Sequence, residues 1–310
     1  MTKTVIQEKY AVSVVIPTHN CLEYLKKSLK TVVDQSIEDM QIIVVIDRST
    51  DGTAAWLAQY DCPRPLTIIE TDVGSPALAR NLGVEEARAP LVAFLDDDDI
   101  WMPGKLAAQL AAHQADPEVV LSFTDYRHRT LDGQDFGTCF DYWNAKPAIA
   151  QGFTRLSAPR STLLGRNLVG TSTVMVRRDG FLAVGGFDPS LPSSEDWDLW
   201  LSLAGHGPVS WSPDVTTDYL LRPGSRTAAR HLRIAAMTAI ARRHLIRGPI
   251  GWQDRLRLHA RLLVGHAEAL EQNNRRAAAA GYHFLAGLMT ADRRALRAGM
   301  ADLSRSFQRT

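Results

Sequence analysis

The sequence predicts an α/β fold, with a mostly parallel central sheet flanked by helices and a helical region at the C-terminal end. Three observations carry that prediction. Between Val12 and Phe123, short β-branched runs alternate with stretches of helical spacing, the pattern of strand–helix–strand units. The runs are predominantly apolar and β-branched, as strands buried on both faces are. From Ala228 to Leu303 the helical period persists, with one break at Gly248–Gly251.

Val12–Pro17 (VSVVIP) reads as the first strand. Leu22, Leu25, Leu29, Val32 and Val33 recur at helical spacing across 21–35, with Asn20 a candidate N-cap. Gln41–Ile46 (QIIVVI) is a second strand, and the turn residues DRSTDGT lead into a helix over Thr53–Gln59. Leu66–Glu70 makes a third strand, Pro76–Ala87 a helix, and Leu91–Leu95 a strand that runs straight into four aspartates. A helix is expected after Pro103 and a further strand at Val119–Phe123. Residues 133–170 lack a strong period and are rich in Gly, Pro and aromatics, so a flexible loop or lid is expected there. The expected domains are a body at 1–229 and a basic α-helical region at 230–310, without an internal repeat.

The 310 residues are 45% hydrophobic and 22% charged, enough for a sizeable core and unlike a disordered chain. The N-terminal stretch shows no secretory signal, and no run reaches the roughly 18 apolar residues of a membrane span. Cys21, Cys62 and Cys139 are odd in number and lack metal-ligand spacing. Reduced thiols and a cytoplasmic location are therefore expected. The net charge of +1 hides an asymmetry: residues 230–310 hold 15 arginines against 5 acids, and the body is acidic. Two readings fit: a helical appendage docked on the body or on a second copy of the chain, and a surface that meets anionic lipid at the membrane's inner face. No nucleic-acid partner is expected.

In parallel sheets of this kind ligands bind beyond the carboxyl ends of the strands. That rim gathers Pro17–Asn20, Asp47–Asp51 and Asp96–Asp99 from three distant parts of the chain. Four adjacent carboxylates repel one another, and a hard divalent cation such as Mn²⁺ or Mg²⁺ relieves them while sharing its coordination with substrate phosphates. Helix capping by Asp99 would need only one of the four. A carboxylate at Asp47 can accept the N3–H of a uracil ring, while Thr50 or Asp51 caps the next helix. Arg80-Asn81 suits either a donor contact or a solvated helix face. In Ser193-Ser194-Glu195-Asp196-Trp197-Asp198 the serines can cap the helix that follows. Alternatively one of the acids is a general base for an acceptor hydroxyl. Trp197 and Trp200 could stack on a sugar ring, Trp200 being the better candidate for the core.

Together, VSVVIPTHN, VVIDRSTDGT, ALARNLGVEEA, LVAFLDDDDIWMPGKL, VGGFDPSL and SSEDWDLWLSL resemble the family 2 glycosyltransferases, inverting enzymes with the Rossmann-like GT-A fold. The resemblance runs from residue 12 to about 205 and, more weakly, through Thr217–Thr227. It implies transfer of a sugar from a nucleotide-sugar donor to a glycan, glycolipid or small-molecule acceptor; because Asp47 can accept the N3–H of either pyrimidine, a UDP-sugar is the expected donor and a dTDP-sugar the next. It implies that Pro17, Thr18 and Asn20 lie by the nucleotide and that Asp47 recognises the base. Asp96 and Asp98 fill a D-x-D pattern as metal ligands, with Asp97 and Arg80 near the donor and Arg222 on a late loop over the diphosphate. Asp196, preceded by Glu195, matches the catalytic base. Ile46 stands where the family often has a first acid, and the Q-x-x-R-W motif of processive synthases is absent. A nucleotidyltransferase would want a Gly-rich phosphate loop near the N-terminus, and PTHNCLEY offers none. A non-catalytic nucleotide-sugar-binding protein would not need both acidic motifs.

Overall fold

The first strand, β1 (Val12–Thr18), is buried along its whole length in the computed structural model, which describes residues 10–146, 151–222 and 230–307. The elements that follow it alternate. They are α1 (Leu22–Val33), β2 (Met40–Asp47), α2 (Thr53–Gln59), β3 (Leu66–Thr71), α3 (Pro76–Glu86), β4 (Leu91–Phe94), β5 (Ile100–Trp101), α4 (Lys105–Ala115) and β6 (Leu121–Thr130). β1 pairs in parallel with both β2 and β4, with Val12 opposite Met40 and Leu91, and β2 pairs in parallel with β3. Every residue of β2 is buried as well, as expected for apolar runs covered on both faces.

The covering helices fit by shape as much as by hydrophobicity. Leu25, Leu29 and Val32 form the buried stripe of α1 and join the sheet core around Val14, Ile42 and Val44. Each such leucine is worth about 1.5–3 kcal/mol by burial. α3 begins at Ser75, whose hydroxyl accepts from Leu78 N–H, with Pro76 in its first turn. Its Gly83 meets β1 directly: a Cβ there would stand 2.4 Å from Val15 Cγ1, so only glycine permits the contact.

Beyond β6 the chain adds β7 (Asp135–Thr138), α5 (Cys139–Tyr142), β8 (Thr154–Arg155), α6 (Pro159–Gly165), a 3₁₀ turn (Thr171–Thr173), β9 (Met175–Arg177), α7 (Arg178–Ala183), α8 (Glu195–His206) and β10 (Val209–Leu221). Among the described residues the sheet runs β3-β2-β1-β4-β9-β6-β10-β5, with β7 on β6 and β8 on β10. β9 lies antiparallel between β4 and β6, whereas β6 and β10 are parallel. The architecture is thus the expected α/β sheet flanked by helices, with antiparallel strands in its second half. The expectation of a loop over 133–170 is corrected: β7, α5, β8 and α6 occupy much of it, in elements of two to seven residues too short to leave a period. Residues 147–150 of that stretch lie outside the described residues, as do 1–9 and 223–229, the last part of the weaker motif.

The described chain forms two compact units and does not divide at a single point. The sheet unit runs to Leu156 and resumes over Leu168–Pro189 and Ser202–Arg222. The helical unit holds Ser157–Asn167, Ser190–Leu201 and the C-terminal helices α9 (Arg230–Leu245), α10 (Trp252–Gln272), α11 (Arg276–Thr290) and α12 (Arg293–Phe307). Inside it, Asp254 near the start of α10 accepts from Ser161 Oγ of α6 at 2.7 Å, and Ser161 Oγ accepts from Gly251 N–H. The seam of α10, α11 and α12 is built from Ala260, Ala286 and Ala295, with Leu263, Val264 and Met289 against them. Leu285 is exposed, because small residues take the interior positions of this seam.

Candidate active site

β1 and β2 release their chains side by side at the carboxyl edge of the sheet, and the two loops are stitched together. Asn20 takes φ 51°, and its Oδ1 accepts from Thr50 N–H at 2.7 Å while its own N–H donates to Ser49 Oγ. It does not cap α1 as expected. Asp51 does so from the other loop: its Oδ2 accepts from Leu22 N–H at 2.8 Å and its Oδ1 from Thr53 N–H and Thr53 Oγ1. One carboxylate therefore serves the first turns of α1 and α2, and these bonds hold it below the usual carboxylate range despite some burial. His19 Nδ1 lies 2.6 Å from the carbonyl oxygen of Asp47, a further tie between the loops that the sequence did not reveal.

Asp47 ends β2 and is 7% exposed. Its two oxygens accept the N–H groups of Gly74 and Ser75, each at 3.0 Å. Each oxygen has a second lone pair. Gly74 has φ +62°, a left-handed conformation that favours glycine where this loop turns over Asp47, and the Arg48 guanidinium lies against it. Arg48 itself pairs with Asp72.

The four aspartates after β4 have different surroundings. Asp99 is fully buried, accepting from Ser172 Oγ at 2.6 Å and from Leu220 N–H at 3.1 Å. Burial, then the charges of Asp96 and Asp98, raise its carboxyl well above the usual range. It anchors this turn to the 3₁₀ segment and β10 and caps no helix; the position before α4 belongs to Gly104. Asp97 accepts from His19 N–H at 3.3 Å, and burial, with Asp98 and Asp96 behind it, pushes it up to about 6. Asp96 pairs with Arg80 at 2.6 Å, and Arg80, 7% exposed, has its guanidinium carbon 5.4 Å from the centre of the Phe187 ring. Asp98 pairs with Arg222, whose guanidinium sits over the Tyr24 ring. Burial and Asp96 raise Asp98, and Arg222 opposes them.

The sheet unit holds Pro17, Thr18 and Asp47 at the carboxyl ends of β1 and β2, Asn20, Asp96, Asp97, Asp98 and Arg222 in the segments that follow strands, and Arg80 on α3. Alternate members of the acidic run, Asp96 and Asp98, each meet an arginine and keep partial exposure, while Asp97 and Asp99 turn inward. Two partly buried carboxylates with mutual repulsion and oxygen-only donors suit a hard cation that takes its remaining ligands from phosphate and water. Ser172, which accepts from Asp96 N–H and donates to Asp99, was missed by sequence reading, since a lone serine in VGTSTV carries no signal.

Glu195 and Asp196 stand in the first turn of α8, in the helical unit. Asp196 Oδ1 accepts from Trp197 N–H at 2.7 Å. Asp198 is buried and already engaged: Arg243 Nη1 donates to it at 2.8 Å, and His244 Nε2 lies 2.9 Å away. Trp197 and Trp200, proposed as stacking platforms, are 1% and 0% exposed. Trp197 donates to the Leu163 carbonyl and carries Arg261 on its face at 4.3 Å, so it is packing.

Three comparisons bear on this arrangement. The sequence matches the family described as Glycosyl transferase family 2 over residues 13–155. Bacillus subtilis TuaG, named as a teichuronic acid biosynthesis glycosyltransferase, is 34% identical over 204 residues, which are 64% of this chain and 74% of TuaG. Escherichia coli WfaP, named as a UDP-Glc:α-D-GlcNAc-diphosphoundecaprenol β-1,3-glucosyltransferase, is 27% identical over 70% of this chain and 80% of its own. Two Rickettsia relatives are longer, and this chain spans 36% of each. The crystal structure of Staphylococcus aureus TarS 1–349 superposes with TM-score 0.64 at 17% identity, over 96% of this chain and 91% of that one. A Pyrobaculum calidifontis mannosyltransferase in complex with GDP-Man and Mn²⁺ gives TM-score 0.61 at 19% identity, over 96% and 75%. At such identities the structures speak to the fold.

Proposed function

The chain belongs to glycosyl transferase family 2, and from that premise we propose that it moves a sugar from a UDP-sugar to an acceptor hydroxyl with inversion at the anomeric carbon. The observation that supports this most is the pairing of Asp96 with Arg80 and Asp98 with Arg222 beside the stitched loops after β1 and β2. Two carboxylates paired with two guanidinium groups suit a nucleoside diphosphate and its cation. Asp98, with Asp96, would hold Mn²⁺ or Mg²⁺, which neutralises charge on the leaving diphosphate.

The chain's own residues divide the remaining work. Asp47, fixed by Gly74 and Ser75, offers its remaining lone pairs to a pyrimidine N3–H, with Pro17, Thr18 and Asn20 beside the base. Arg80 and Arg222 donate to the diphosphate, and Asp97 shapes the turn between the two metal-binding carboxylates. Asp196 takes the proton of the acceptor hydroxyl on the face opposite the leaving group, with Glu195 as its neighbour. The uridine choice draws on the printed donor of WfaP and on TarS having been solved with UDP and with UDP-GlcNAc. WfaP's named acceptor favours a lipid-linked sugar among the acceptor classes. Calorimetry of UDP, dTDP and GDP in Mn²⁺ tests the donor: UDP is expected to bind tightest, and GDP binding at least as tightly would refute the uridine assignment.

A peripheral membrane contact through the helical unit is favoured over a homodimer by Ile246 and Trp252, 86% and 73% exposed, which flank the α9–α10 turn next to Arg247. Among the described residues no helix is long and apolar enough to cross a membrane. Salt-sensitive co-sedimentation with anionic vesicles is the expected result, and its absence removes the proposal.

A further inference from the structure

Residues 230–310 contain only five acids, yet two of them meet on one buried imidazole. Glu271 lies in the last turn of α10, His283 in the middle of α11 and Asp302 on α12. His283 Nε2 is 3.0 Å from Glu271 Oε1 and 3.6 Å from Asp302 Oδ2, and one ligand atom of each residue lies within 4.8 Å of the others. His283 is 4% exposed and Asp302 3%. Within this cluster Asp302 Oδ2 has no hydrogen-bond partner. Two carboxylates thus crowd one buried imidazole, and like charges this close repel one another. Arg276 approaches only the other oxygen, Oδ1, at 3.6 Å, and leaves Oδ2 facing the histidine.

We propose that Glu271, His283 and Asp302 form a binding site for a transition-metal dication of the Zn²⁺ type, clasping α10, α11 and α12. Ligand atoms held tetrahedrally at about 2.0–2.1 Å from zinc stand about 3.3 Å apart, and the two separations at His283 bracket that distance. A neutral imidazole nitrogen suits Zn²⁺ and disfavours Mg²⁺ or Ca²⁺, which prefer oxygen throughout. The cation would supply Asp302 Oδ2 with the partner it lacks and offset the repulsion of Glu271 and Asp302. Arg276 would act as the outer partner that orients the coordinating carboxylate. Among the described residues this is the one cluster of three such ligand atoms, and it is distinct from the Asp96–Asp98 cation site proposed for the donor. The inference does not rest on the donor reading.

The test is Zn²⁺ uptake by the chelator-stripped full chain, followed by calorimetry and elemental analysis. One Zn²⁺ per chain is expected in the wild type and in Asp98→Asn, and none in His283→Gln or Asp302→Asn. Zn²⁺ should raise the melting temperature of the first two proteins only. No uptake by the wild type, or uptake that survives both cluster substitutions, overturns the site. Should the variants misfold, Co²⁺ in the wild-type chain decides: intense visible bands of a tetrahedral site support the proposal, and the weak bands of an octahedral one overturn it.

Discussion

Ser172 holds Asp99: its hydroxyl donates to the buried carboxylate at 2.6 Å while accepting the Asp96 N–H at 3.0 Å. One side chain thus fixes both ends of the acidic turn, so that Asp96 and Asp98 alternate outward towards Arg80 and Arg222. Ser172→Ala leaves Asp99 with the Leu220 N–H as its remaining hydrogen bond. A loss of about 1–3 kcal/mol is expected from urea unfolding, and a change below about 0.5 kcal/mol would show that the bond does not hold the turn.

Stability should fall as pH rises from about 4 to about 6. Asp97 is pushed up to about 6 in the folded chain and titrates in the usual carboxylate range when unfolded. Between those values the folded state binds the extra proton, so the cost of ionising Asp97 is absent at pH 4 and complete above pH 6. A rise of about two units corresponds to about 3 kcal/mol. Thermal melts across that window check the sign, and Asp97→Asn should flatten the slope. Asp98 and Asp99, also raised, add to the same direction.

The strands and first helices were legible because their residues face one environment each. β1 and β2 are buried on both faces, so their runs are mostly apolar, and α2 begins and ends where its turn chemistry says. The alternation within Asp96–Asp99 was visible as a D-x-D pattern, but the inward duties of Asp97 and Asp99 were not. Those depend on His19, Ser172 and Leu220, which lie 75 or more residues away in most of these bonds. Asn20 has the residue type and position of a cap, but its side chain serves Thr50, and Asp51 on a distant loop supplies the carboxylate to α1. The alanine seam of α10–α12 was hidden for a related reason: close helix packing there uses residues too small to leave a strong hydrophobic period.

Arg222 and Asp98 should separate in their response to metal. Asp98→Asn is expected to remove the Mn²⁺-dependent part of UDP binding and leave the metal-free part. Arg222→Gln removes a charge-assisted donor to the diphosphate, so UDP binding should weaken by about 10- to 100-fold both with and without Mn²⁺. Calorimetry of the two variants under both conditions reads this out. Equal losses confined to the Mn²⁺ condition would reduce Arg222 to a partner of Asp98 alone.

Asp196 and Asp198 are two residues apart in α8 and should fail in different ways. Asp198 is buried between Arg243 and His244, and its neutral amide cannot balance the arginine. Asp198→Asn should therefore cost about 1–3 kcal/mol of stability, less than a fully buried pair because Arg243 is partly exposed. Asp196 accepts the N–H of its own neighbour Trp197, a bond that asparagine can keep. Asp196→Asn should thus unfold within about 1 kcal/mol of wild type and bind UDP and Mn²⁺ unchanged. If Asp196 is the base, only proton removal is lost, and turnover falls by about 100-fold or more while donor affinity stays constant. An Asp196→Asn protein that folds and keeps most of its transfer activity would end the assignment. The role would then pass to Glu195, because the Asp198 carboxylate is already committed to α9.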